Sequence, residues 1–577
     1  MKPSLICEWG VGMGEGQIVT GQLNLVSRCL SQIGAILLGV GIGWTGVLAM
    51  PGEAKTPTKP LRSTSIGETG IDALRLQLPP YNLTGKKIAI GQVEIGRPGQ
   101  FGIDKAVAQN HFMALTQVFY RDTRARTNIN VDSHAQNVAS IMISAAKMAR
   151  GVAPGARLYS SASGTPRRYG QPEECLSAQY VALQNGGDIR AINFSFGESL
   201  RFDPRAKPQL DGNALLTQCI DWSARVHNVL YVIAGNQGKG GISIPTDNFN
   251  GVNVAFTSRV QELFARVDFA NLGDPTSSAT KGLESNVGAR RAIALVAPGH
   301  DVSLVNPNGS IITSSGTSFA APHVTGTIAL LQEYGDAAIR RSLRDRSLAW
   351  TLDARRSEVM KAVLLNAADK LKDSGDGLLL GMSRTITDKN NRTWLESDAY
   401  RDPQIPLHAH MGTGQLNAFR AYQQFSAGQW TPEATIPAIG WDYRTVGSDT
   451  ESQSPTSAPA YRDYLLKKQL QKGSFVAVTL TWNRLVDLID KDQNGAYTLG
   501  EEFRDRGLNN LDLYLMKAED TDTQKAIHSS ISAVDSIEHI FDKIPATGRY
   551  KIRVQFKQQA NEPVQPYALA WWTVPTR

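Results

Sequence analysis

Cysteine is scarce in this 577-residue chain: Cys7, Cys29, Cys175 and Cys219 are all there are. The first two fall in an N-terminal segment that reads as a presequence, so only Cys175 and Cys219 are left for an oxidising compartment to join, and spacing alone does not show that they meet. Neither sign of charge dominates: 60 Lys and Arg are interspersed with 53 Asp and Glu, and the formal net charge of +7 marks no nucleic-acid surface. The densest basic stretch, Arg340-Arg341-Ser342-Leu343-Arg344-Asp345-Arg346 followed by Arg355-Arg356, reads as a solvated helix face. From Ile33 to Met50 no residue is charged, and Arg28 precedes the run. That run reads as a secretory h-region with cleavage after Ala49 or Ala54. Initiation at Met13 and retention as a membrane anchor both stay open, since 18 uncharged residues approach a spanning length.

What is there is enough for two cores, with 41% hydrophobic residues. The most informative stretch is Gly316-Thr317-Ser318-Phe319-Ala320-Ala321-Pro322-His323-Val324-Thr325-Gly326. It reads as a turn, opened by a glycine that admits a backbone geometry closed to other residues, followed by a buried helix. Pro322 is read as sitting in the first turn, where its missing N–H is not needed. The helix start presents free N–H groups and a positive dipole end to the Ser318 hydroxyl, which makes Ser318 a nucleophile candidate.

Such a hydroxyl needs a base, and the base needs an orienting group. His134 precedes a helical pattern with Val138, Ile141, Met142 and Ala145 on one face. The segment 87–96 reads as a buried strand carrying Glu94 near its end and leaving through Gly96. A second apolar strand, 228–234, ends in Gly235-Asn236. The serine string resembles the nucleophile motif of the subtilisin-like serine proteases, and His134 with Val138 and Ala139 resembles part of that family's histidine motif. The resemblance implies Ser318 as nucleophile, His134 as base, and Asn236 with the Ser318 amide as oxyanion donors. It puts Glu94 where the family has aspartate, with Asp104, Asp132 or a damaged triad as alternatives. Ser195-Phe196-Gly197 resembles the strand end that pairs with an extended substrate, a form of β-augmentation. Gly412-Thr413-Gly414-Gln415-Leu416-Asn417-Ala418 resembles the turn closing the catalytic domain. The expected fold is a mostly parallel, subtilisin-like α/β sheet flanked by helices. No segment of domain size separates the presequence from the first strand, so the inhibitory pro-domain of many secreted family members is not expected.

After Trp430 the periodicity changes from helical to two-residue. Val476, Val478, Leu480 and Trp482 alternate with Thr479 and Thr481, and Tyr550, Ile552, Val554 and Phe556 with Lys551, Arg553 and Gln555. This predicts an all-β sandwich, which resembles the jelly-roll domains that follow some subtilisin-like catalytic domains. Within it, residues 490–501 match the calcium loop of an EF-hand. Asp490, Asp492, Asn494 and Glu501 offer side-chain oxygens, Ala496 its carbonyl, and Gly495 takes the sharp turn. Flanking strands in place of helices suggest a structural calcium ion.

The expected organisation is a signal or anchor over 1–49, a linker over 50–69, a catalytic domain over 70–430 and a β-sandwich over 431–577. The expected activity is that of an exported or envelope-located serine endopeptidase acting on protein or peptide substrates. The alternative is a peptide-binding or surface scaffold in which catalysis has been lost.

Overall fold

Strand β1 (Ala89–Glu94) is buried at every position, as a central strand of a parallel sheet covered on both faces must be. It pairs in parallel with β4 (Arg157–Ala162) on one side and β5 (Ile189–Phe194) on the other. The sheet continues outward through β2 (Leu115–Tyr120) to the short antiparallel β3 (Thr123–Arg124). In the other direction it runs through β6 (Leu230–Ala234) to β7 (Val252–Val260), which receives antiparallel β8 (Leu263–Asp268) and parallel β9 (Leu295–Pro298). This computed structural model describes residues 64–107, 112–164, 170–235, 244–268, 288–345, 350–448 and 458–576, all within one compact unit. The presequence, most of the linker and Asn236 lie outside the described residues. No described helix is long and apolar enough to cross a membrane.

Period-two alternation divides the strands between two cores. Ile90 faces one that includes α1 (Ser133–Ile143), α4 (Thr317–Ser342), α5 (Ser357–Asn366) and α6 (Ala418–Ser426). Ala89 and Val93 face the other, with α2 (Gln171–Ala182) and α3 (Leu215–Val226). Gly91 lets α2 approach, since a Cβ there would come within 2.4 Å of Val181 Cγ1. Cys175 of α2 and Cys219 of α3 form a disulfide, with Cα atoms 5.9 Å apart.

Beyond residue 430 the strands are antiparallel, and β10 (Val302–Val305) and β11 (Ile311–Ser314) form a small hairpin ahead of them. One four-stranded sheet runs β12 (Ile439–Gly447), β21 (Val564–Trp572), β14 (Phe475–Trp482), β19 (Ile537–Lys543). A second runs β13 (Tyr461–Leu465), β20 (Tyr550–Gln558), β17 (Asn510–Lys517), β18 (His528–Ser530). Their facing side chains, among them Val478, Leu480, Leu513, Val554 and Trp571, share one core. Period-two alternation predicts exposed Thr479 and Thr481, but β14 is buried throughout because α5 covers its outer face. There Thr479 Oγ1 donates to Asn366 Oδ1 at 3.0 Å and Thr481 Oγ1 to the Glu358 carbonyl at 2.9 Å. Lys551 and Arg553 are likewise buried, satisfied by Asp463.

Candidate active site

Three elements bring the candidate residues together. β1 ends at Glu94, on the same strand face as Ile90 and Gln92, and α1 and α4 pack over that face. Gly96 lets the chain leaving β1 meet the start of α1, since a Cβ would fall 2.3 Å from Asp132 Cβ. Backbone bonds Arg97 N to Asn130 O (2.7 Å) and Asp132 N to Arg97 O (2.9 Å) stitch the two segments. Asp132 then caps α1, accepting from Ala135 N at 2.8 Å, which fixes His134 in the first turn. Val138, Ile141 and Met142 are buried as their spacing predicts. Ala145 lies past the helix end and is exposed.

Glu94 Oε2 lies 3.3 Å from His134 Nδ1. Neither alternative carboxylate reaches the imidazole: Asp132 is the cap, and Asp104 is held bidentately by Arg97 at 2.6 and 2.8 Å. Burial raises the Glu94 carboxyl, and the facing histidine only partly offsets it. Burial alone would lower the His134 imidazole, but the charge and hydrogen bond of Glu94 outweigh it and raise it above 6.5. Gln92, two residues earlier on β1, supports this pair. Its Nε2 donates to the Ala135 carbonyl at 2.9 Å, which ties β1 to the first turn of α1. Sequence reading missed it, although an amide inside an otherwise apolar strand was the available signal.

The His134 ring stands against Phe319, with centroids 5.7 Å apart, and Ser318 directly precedes Phe319. Ser318 is 1% exposed. Its hydroxyl donates to the Ser195 carbonyl at 3.0 Å, while the buried His134 Nε2 has no hydrogen-bond partner among the described residues. Two local expectations change. Gly316 is extended, with φ 161° and ψ 160°, a backbone that any residue adopts. Pro322 lies beyond the first turn, so its missing N–H releases the carbonyl four residues earlier, that of Ser318. The Ser195 hydroxyl fills the gap, donating to that carbonyl at 2.8 Å. Asn193 Nδ2 donates in turn to Ser195 Oγ at 2.8 Å. Asn193 is a second polar residue of an apolar strand whose placement only the fold reveals. Ser195, Phe196 and Gly197 are all buried, and Phe196 stacks on Phe194. His323 is structural, bonding the Phe319 carbonyl and the Ser65 hydroxyl, and burial takes it down to about 4.

Far along the chain, the loop of 490–501 joins β15 (Val486–Ile489) to β16 (Glu502–Asp505). Carboxylate oxygens of Asp490, Asp492 and Glu501 lie within 4.8 Å of one another, and Gly495 has φ 75°. Gly495 N donates to Asp490 Oδ2 at 2.8 Å and Ala496 N to Asn494 Oδ1 at 2.7 Å. Like charges converging in an all-oxygen donor set fit a hard divalent cation. The hairpin is anchored on the helices across from it: Tyr497 exchanges hydrogen bonds with Gln179 of α2, and Phe503 packs on Trp222 of α3.

A carboxylate on Nδ1, an Nε2 without a partner among the described residues and a hydroxyl at an adjacent helix start make an arrangement suited to acyl transfer. The model of the subtilase family matches residues 77–383. The chain is 36% identical over 87 residues to an intracellular serine protease of Paenibacillus polymyxa, covering 15% of this chain and 24% of that protein. It is 28% identical over 181 residues to subtilisin DY of Bacillus licheniformis (31% and 56%), and 29% over 204 residues to subtilisin Savinase of Lederbergia lenta (34% and 62%). These alignments thus span less than two thirds of each relative's length. Among solved structures it is similar to the prenylagaramide maturation protease PagA, at 22% identity and a TM-score of 0.36, covering 58% of this chain and 93% of that one. Since the family match runs across more than half of the sequence, the chain belongs to the subtilase family.

Proposed function

We propose that this protein is a serine endopeptidase that cleaves peptide bonds through an acyl-enzyme, using Glu94, His134 and Ser318. The observation that carries this reading is the contact of Glu94 with His134 Nδ1 beside the start of α4. It leaves Nε2 as the basic nitrogen. In the reaction Ser318 Oγ turns from the Ser195 carbonyl to His134 Nε2, loses its proton to that nitrogen and attacks the substrate carbonyl. His134 then returns the proton to the leaving amine, and water releases the acyl group. Glu94 holds the imidazole tautomer and stabilises its charge. No acceptor among the described residues is bonded to the Ser318 N–H, which suits it to the oxyanion, with Asn236 as the second donor. The edge Ser195-Phe196-Gly197 pairs with the extended substrate.

The bridge between Cys175 and Cys219 supports an exported or envelope location. We assign the catalytic domain to 70–430 and a jelly-roll-like sandwich to 431–577. In the hairpin inserted between strands of that sandwich, Asp490, Asp492, Asn494, the Ala496 carbonyl and Glu501 would hold a structural calcium ion. One observation favours the scaffold reading instead: the Ser318 hydroxyl rests on Ser195 and not on His134. A fluorophosphonate probe separates the two. The peptidase reading expects covalent labelling of the calcium-loaded chain that Ser318→Ala abolishes, and folded protein that takes no label leaves the scaffold.

A further inference from the structure

One buried pair of ionisable groups has no part in the reaction above. Glu174 sits in the first turn of α2, and Glu198 directly follows the Ser195–Gly197 edge; each is 1% exposed. Their carboxyls lie within hydrogen-bonding reach of each other. None of the four oxygens receives a hydrogen bond from any N–H or hydroxyl among the described residues. Cys175, which follows Glu174, and Ile244, which bridges to Glu198, both belong to the hydrophobic core on this side of the sheet.

Among the described residues no cation is paired with either acid. On α2, Glu173 is paired with Arg121; on the segment after β5, Asp203 and Asp211 are both taken by Arg205; on α3, Asp221 is taken by Arg484. Asp247, beyond Ile244, accepts from Thr217 and Gly212. The electrostatic partner of Glu174 is Glu198, and that of Glu198 is Glu174. Two carboxylates in such a site cannot both ionise near neutrality, whereas a single proton lets one carboxyl donate to the other. Burial pushes Glu198 up to about 6; burial and then the charge of Glu198 push Glu174 well above the ordinary 4.5. Glu198 is also fixed through its backbone, donating to the Ile244 carbonyl at 2.8 Å and accepting from Ile244 N at 3.0 Å. Repulsion at its carboxyl therefore bears on the residues just before it.

We propose that Glu174 and Glu198 share one proton, and that this proton-sharing pair positions the Ser195–Gly197 edge for substrate, which loosens as the last proton leaves on the alkaline side. The proposal rests on the peptidase reading for its substrate arm, and its stability arm is independent of catalysis. A folded state that holds protons which the unfolded chain releases above about 4.5 loses stability as pH rises through the folded values. The melting temperature of the native chain therefore falls over that range.

The test compares the native chain with Glu174→Gln and Glu198→Gln, in each of which a carboxamide N–H donates to the remaining carboxylate at every pH. KM for a peptide substrate, peptide binding by Ser318→Ala forms, and melting temperature are followed from mildly acidic to alkaline pH. The native KM and dissociation constant are expected to rise several-fold at the alkaline end. Either Gln variant is expected to flatten that rise and the melting slope, while the acid limb of kcat stays in place. An unchanged alkaline rise and melting slope in both variants overturns the proposal. So does a calcium-dependent melting shift that persists in Asp490→Asn/Glu501→Gln and disappears in Glu174→Gln, which would assign a cation to the pair. Missing Ser318-dependent labelling would end the peptidase reading, yet the melting slopes would still decide whether the proton is shared.

Discussion

Ser195 and Pro322 meet at one atom, the Ser318 carbonyl. The proline withdraws the helical N–H that this carbonyl would have received, and the serine hydroxyl replaces it at 2.8 Å. Ser195→Ala leaves a buried acceptor unpaired, at a cost of about 1–3 kcal/mol. Pro322→Ala restores a helical donor, so the cost of Ser195→Ala should be smaller in that background; denaturant unfolding of the four forms measures the coupling. Equal costs in both backgrounds would refute the exchange. At Glu94 the expectation is kinetic. Glu94→Gln removes the charge that raises His134 and leaves the burial that lowers it. The acid limb of kcat/KM against pH should therefore move to lower pH, and kcat should fall by about 10³–10⁴-fold. A limb that stays in place would remove Glu94 from the triad.

Among the elements, the loop after β1 depends on an ion pair with no solvent exposure on either side chain, Arg97 with Asp104. Breaking such a pair strands a buried charge, so Asp104→Ala should destabilise the protein by about 3–5 kcal/mol in equilibrium unfolding. Loss of under 1 kcal/mol would mean that Arg97 finds water instead. The same loop sets Gly96 against Asp132, which caps α1, so activity should fall together with stability in this variant. In the sequence β1 and α1 were each legible from periodicity. The choice of Glu94 over Asp104 and Asp132 was not, because all three acids lie near the right segments and only their partners in space separate them.

Taken as a whole, the molecule joins its two halves through a common core. Trp441, Ile537, Ala568 and Ala570 lie in the cluster that also contains α4, α5 and α6. Gln424 of α6 donates to the carbonyls of Gly440 and Trp571 at 2.7 and 2.9 Å. The acidic hairpin of β15 and β16 in turn sits on the disulfide-linked helices α2 and α3. Chelating calcium should therefore lower the melting temperature of the whole chain in one transition. The lost contribution would be about 2.7 kcal/mol where free calcium stood at a hundred times its dissociation constant. Calorimetry before and after chelation checks this; two separate transitions, with only one responding, would show that the halves melt independently.

The amino-acid sequence determined the elements whose signal is local. Period-two and helical patterns, the Gly-Thr-Ser turn and the spacing of 490–501 are written in neighbouring residues, and so gave the parallel α/β half, the β-rich half, Ser318 and the acidic loop. The tertiary structure decided what depends on distant partners. It chose the carboxylate facing His134, joined Cys175 to Cys219, buried both faces of β14 under α5, and set Glu174 against Glu198. Burial and charge compensation are properties of surroundings, and a side chain's surroundings come from segments that its own neighbours in sequence do not encode.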